Sequence, residues 1–229
     1  MGKVKIKRKD TRIDMTAMSD VTVLLLTFFM LTSTFLQKEP VTVITPPSVS
    51  EEKVPDEKLM SVLVGTDGKV FISLTGTKDS TLKSEKFRAD VLKNAVGYYN
   101  QMYKTPIDLT QKELDAFSKI GTFGVPLGAL KKWLDLPTDE RDAALKTAGI
   151  PITRNEDPDK PNEFQIWIKA VYAAMEDNGI GSDMDSGTGI AIKADQSTPY
   201  DKVEVVMDNL QTMKHNKFSL MTALKKEED

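Results

Sequence analysis

The chain has 229 residues, of which 40% are hydrophobic and 28% charged, and a net charge of −3. That length allows one or two domains with a real core. The absence of cysteine excludes disulfides, thiol catalysis and thiolate metal sites, and a single histidine, His215, makes a histidine-based triad or zinc site implausible.

Residues 1–14 are basic: Lys3, Lys5, Lys7, Arg8, Lys9 and Arg12 face only Asp10 and Asp14. Such a head alone would suit nucleic acid. Its place beside an apolar run makes it a cytoplasmic flank under the positive-inside rule instead, and no nucleic-acid partner is expected. The run "SDVTVLLLTFFMLTSTF" starts at Ser19. It ends in "LTSTFLQKEP", without the small-residue pattern that a signal peptidase cuts, so a retained anchor is expected. Val21 to Leu36 would make about 24 Å of helix, short of a hydrocarbon core of ~30 Å. The span must therefore begin near Met15, giving a transmembrane helix over 15–36 with Asp20 about one turn inside it.

A carboxylate in lipid costs several kcal/mol unless it is neutral, paired or turned to a wet protein interface. Asp20 is thus the candidate proton carrier. The competing reading is a simple helix cap, for which Asp14 is better placed. Thr16, Thr27 and Thr34 fall on the same helical face as Asp20, a polar stripe that expects a protein partner. Threonines can also bond their own helix carbonyls, and Thr22, Thr32 and Ser33 are expected to do so.

Residues 37–58 read as a periplasmic linker, with Pro40, Pro46, Pro47 and Pro55. Within it Val41, Thr42, Val43, Ile44 and Thr45 are β-branched and alternate, so they predict a short strand at 41–45 that pairs with a second copy or a partner chain. A plain extended linker is the alternative.

Residues 59–229 predict a small α+β domain. A hairpin spans Met60–Val64 and Lys69–Leu74 around Asp67-Gly68. At the other end, Gly189–Ala194 is a strand. Ser197 or Thr198 caps a helix with Pro199 in its first turn and a buried stripe of Val203, Val206, Met207, Leu210 and Met213. "KFSLMTAL" closes as one strand. Between them, about 83–186 predicts a helical insertion. One helix runs over 83–104, and a capping box at Thr110–Glu113 opens a second. "LGALKKWL" and "TDERDAALKTAG" are short helices, and Asn162 caps a last one. With Trp133 and Trp167 as anchors, the insertion is expected to bury a core of its own.

Ile13–Phe35 resembles the signature of the ExbD/TolR family, with Ile13, Thr16, Asp20, Leu25, Phe28, Phe29 and Met30 on its pattern and Ala17 where a proline is usual. "VTVITPP" (Val41–Pro47) is similar to the extended segment that follows the family's span, with Thr45 in place of leucine. Gly189–Thr222 is similar to its terminal strand, turn, helix and strand. The resemblance implies a single-pass inner-membrane protein with a cytoplasmic N-terminus and a periplasmic α+β domain. It further implies a proton-channel subunit that sits as a pair in an ExbB-like polytopic partner and passes proton motive force through a TonB-like transducer to outer-membrane transport. A TolR-type subunit serving envelope integrity is one alternative, and a membrane-anchored binding module without proton transfer is another. No enzyme activity and no cofactor or metal are expected. Near Asp183–Gly189 a calcium loop would need glycine at Thr188 and glutamate at Ala194, and "GTFGVPLG" lacks a phosphate-loop lysine.

Overall fold

The computed structural model describes residues 15–32, 39–41, 43–48, 60–74, 84–103, 106–179 and 189–224. The chain forms two compact units, Met1–Gln37 and Lys38–Asp229.

In the first unit, α1 is Met15–Thr32, an 18-residue helix and so about 27 Å long. Among the described residues no helix is long and apolar enough to cross a membrane. The expected continuation to Leu36, with Ser33 and Thr34, lies outside the described residues. From Thr16 to Thr32 every side chain of α1 is exposed.

The second unit is built on a five-stranded sheet. Its strands are β2 (Met60–Val64), β3 (Val70–Leu74), β4 (Thr122–Phe123), β5 (Ile190–Ala194) and β6 (Ser219–Leu220), in the order β4-β3-β2-β5-β6. The β2–β3 hairpin is antiparallel, with Met60 opposite Leu74 and Val64 opposite Val70. Its turn uses Gly68 at φ 76, a left-handed conformation that favours glycine. On the other side β2 pairs parallel with β5, and β5 parallel with β6. A parallel pair needs a long crossover. The chain between β3 and β5 supplies one, carrying α2 (Ser84–Met102), α3 (Gln111–Ser118), α4 (Leu127–Leu134), α5 (Thr138–Thr147) and α6 (Glu163–Asp177), while α7 (Tyr200–Thr212) joins β5 to β6. Nearly every residue of β2 and β3 is buried, so both faces of these strands are covered.

The helices expected over 83–186 form close to where their periodicity places them. Asn162 caps α6, its Oδ1 accepting from the Gln165 N–H at 2.9 Å while the Gln165 Oε1 accepts from the Asn162 N–H at 3.0 Å. Glu113 accepts from the Thr110 N–H and hydroxyl at the start of α3. Both tryptophans are buried.

The expectation of a separate core in 83–186 is overturned. Phe87, Val91 and Leu92 of α2 and Trp167 of α6 share one continuous apolar core with Val62, Phe71, Ile72 and Ile192 of the sheet. The same segment supplies β4, which pairs antiparallel with β3. There Gly124 lies against the Phe71 ring, where a Cβ would come within 2.2 Å, and this close approach is what "GTFG" serves. Arg88 ties α2 to the sheet, donating from Nε to the Leu74 carbonyl at 3.1 Å and from Nη1 to the Ser118 carbonyl at 3.1 Å. The physical reason for a single core is that the helices α2 and α6 each have an apolar side, and laying it on an apolar face of the sheet buries both.

Two smaller corrections concern the C-terminal part. Neither Ser197 nor Thr198 caps α7. Pro199 occupies that position, the Ser197 hydroxyl donates to Asp195, and the Thr198 hydroxyl donates to the Gly65 carbonyl at 3.2 Å. "KFSLMTAL" is not one strand. It breaks after Leu220, and β7 (Ala223–Leu224) pairs parallel with β1 (Pro47–Ser48) in a second, two-stranded sheet.

Candidate functional site

Asp20 is the one charged residue on α1, and it is exposed among Leu24, Phe28, Phe29 and Leu31, all more than half exposed. An apolar surface of this extent marks a lipid or protein contact. Thr27 donates its hydroxyl to the Leu24 carbonyl at 2.9 Å. Off the stripe, Thr22 bonds the Met18 carbonyl at 2.8 Å and Thr32 the Phe28 carbonyl at 2.8 Å. On-stripe Thr27 and off-stripe Thr22 and Thr32 thus satisfy themselves in the same way, by bonding carbonyls of their own helix. Thr16 also lies exposed on this face. The stripe's chemistry therefore concentrates on Asp20.

Within this chain, the described residues of 41–45 form no strand. Val43, Ile44 and Thr45 are extended but belong to no ladder, and Thr42 lies outside the described residues. The next strand is β1, which begins at Pro47, two residues past Thr45. What holds 41–45 is a clamp from the same chain. The Ile44 N–H donates to Asp195 Oδ2 at 2.8 Å, and the Gln196 N–H donates to the Ile44 carbonyl at 2.8 Å. Val43 is buried against the core, with Val41 packed beside it. Upstream, Lys193 Nζ reaches both oxygens of Glu39, at 2.7 and 2.8 Å. Ile44 keeps its side chain 59% exposed, so its backbone is spoken for while its apolar side chain faces solvent.

Asp195 is the centre of the clamp. It is 6% exposed. Its Oδ1 accepts the Ser197 hydroxyl and the Ser197 N–H, the latter at 2.9 Å. These bonds favour the ionised form, and the Ser197 hydroxyl, followed by the Ser197 and Ile44 amides, holds the carboxyl below the usual aspartate range. Asp195 is not among the residues expected from the sequence to carry function. The signal was there in "ADQSTP", where Asp followed two residues later by Ser is a local hydrogen-bonding turn pattern. Only the fold brings residue 195 to residue 44.

The description "Biopolymer transport protein ExbD/TolR" fits the chain over residues 7–112. That stretch covers α1, the clamped segment, the β2–β3 hairpin and α2, and it ends inside α3. It thus enters the expected insertion, which starts at about 83, and it stops short of Gly189–Thr222. No curated protein and no solved structure matches the chain. A helix with one carboxyl, an extended segment and a hairpin follow one another in the matched order, and over residues 7–112 the chain is similar to the ExbD/TolR family of biopolymer transport proteins.

Proposed function

We propose that this protein is the proton-carrying subunit of an inner-membrane motor that drives TonB-dependent outer-membrane transport. One observation carries the reading: α1 presents a single carboxyl, Asp20, in a mostly apolar and otherwise uncharged helix whose side chains are exposed from Thr16 to Thr32. Lipid and an ExbB-like pore partner would cover that surface, a second copy would share the pore, and a TonB-like protein would take up the work. The basic residues before Met15 keep the N-terminus cytoplasmic, which leaves the Lys38–Asp229 unit in the periplasm. The helix described is about 27 Å long, so crossing requires its continuation through Leu36.

The energetics favour a titrating group. A membrane potential supplies ~2.3 kcal/mol per charge per 100 mV. Only a side chain that is protonated and ionised in turn uses it repeatedly. Asp20→Asn, nearly isosteric and unable to titrate, should leave insertion and co-purification with the pore partner intact and abolish energised uptake. Full uptake at normal expression would overturn the proposal. A TolR-type role would use the same chemistry for another client, and a neighbouring TonB-like or Tol-like gene separates the two.

Val41–Thr45 remains the proposed contact for a second copy or a partner strand. The Ile44 N–H and carbonyl are both taken by Asp195 and Gln196, so pairing there requires the clamp to open.

A further inference from the structure

A cleft with a volume of about 340 Å³ lies where the end of α2, the loop after it and α4 meet. That is the lower end of the range typical of small-molecule sites. Tyr99, Pro106 and Ile107 supply its apolar lining, and Gly128 and Lys132 of α4 line it as well.

The cleft is built in advance rather than left over. The Asn100 side chain grips both backbone polar groups of one loop residue, donating to the Ile107 carbonyl at 3.0 Å and accepting its N–H at 2.7 Å. Lys131 spans to the loop, donating to the Asp108 carbonyl at 2.7 Å. Its charge is already compensated by Glu113, 3.8 Å away. Lys132 is different: it is exposed on the same wall, and among the described residues no carboxylate forms an ion pair with it.

Gly128 is the telling residue. A Cβ at this position would meet only the Tyr99 hydroxyl, at 3.6 Å, so packing does not require glycine. What it provides here is an open approach to the Tyr99 hydroxyl. A neutral hydroxyl donor, an uncompensated ammonium and an apolar wall together suit a carboxylate attached to an apolar body. Asp108 also lines the cleft, and it would repel a second negative charge.

We infer that this cleft binds a monocarboxylate with an apolar body, free or as the carboxyl end of a peptide, with the carboxylate at Lys132 and the Tyr99 hydroxyl and the body against Pro106 and Ile107. The inference is independent of the proton-carrier proposal, and its readout involves no transport.

The test is ligand-observed saturation-transfer NMR on the full chain in detergent. The probes are N-acetyl-L-leucine, a leucine-terminated tetrapeptide with a free carboxyl, the same peptide amidated, and acetate. Saturable transfer is expected to the leucine acid or the free peptide, whichever is the source, and to neither the amide nor acetate. Lys132→Gln should weaken binding about tenfold, as loss of one charge-assisted contact does. Gly128→Leu should abolish it without loss of folding, since leucine is the better helix former, and an unchanged melting curve verifies this. Absence of saturable transfer to both acids, equal binding of the amide, or binding that survives Gly128→Leu would overturn the inference.

Discussion

Trp167 gives the sharpest test of the single shared core. Its side chain is fully buried, stacked on Phe117 at 6.0 Å between centroids and packed on Phe123 at 4.5 Å. Phe123 is in β4, paired to the sheet, so Trp167 bridges the helical layer and the strands. Removing a buried tryptophan side chain costs about 3–5 kcal/mol through lost transfer and the cavity left behind. Against a typical domain stability of about 5–15 kcal/mol, this is a large share. Trp167→Ala in the Lys38–Asp229 unit should therefore lower the urea midpoint of the whole unit in one transition. Hydrogen exchange should show Val62 and Ile72 of the sheet losing protection together with α2 and α6. Trp167→Phe separates the ring from its N–H. The indole Nε1 finds no hydrogen-bond partner among the described residues. Phenylalanine leaves roughly 40 Å³ empty, about 1 kcal/mol, and this is offset by removing an unpaired buried donor that costs about 1–3 kcal/mol. The variant should stay close to the parent in stability. The reasoning fails if Trp167→Ala melts the helices alone while the β2–β3–β5 sheet keeps its exchange protection.

The same core predicts that replacing Lys83–Ser186 with a short Gly/Ser linker leaves a chain that does not fold, because β2 and β3 lose β4 and the helices that cover them. A cooperative thermal melt of that chain by circular dichroism would contradict this. The clamp at residue 44 has a definite pH dependence. Because the folded carboxyl of Asp195 is held low by Ser197 and the Ile44 amide, its contribution is complete above the pH at which an unfolded aspartate titrates. It disappears as pH falls through the lower, folded value. Acidification should therefore free the Ile44 amide to exchange. Asp195→Ala should free it at neutral pH, about tenfold faster as for the loss of one hydrogen bond, with Val62 unaffected. Equal protection of Ile44 in parent and variant would remove Asp195 from the clamp.

Local features of this protein are legible along the chain because they depend on neighbours in sequence. The period of α2 and α6, the capping boxes at Thr110 and Asn162 and the Asp67-Gly68 turn are all decided within a few residues, and each forms as read. The carboxyl at Asp20 stands out because an apolar run gives a single charge no cover. Long-range partners are another matter. A short apolar strand such as β4 has too few residues to signal itself, and its place beside β3 depends on how Gly124 fits the Phe71 ring. Apolar stripes on α2 and α6 show that these helices bury one face, not whether that face meets other helices or a sheet. The Asp195 carboxylate has ordinary local chemistry, and its bond to Ile44 joins residues 151 positions apart. The strand order, the sharing of one core and the clamp on residues 41–45 are decided by the tertiary structure alone, since the chain must close before those groups can meet and bury each other.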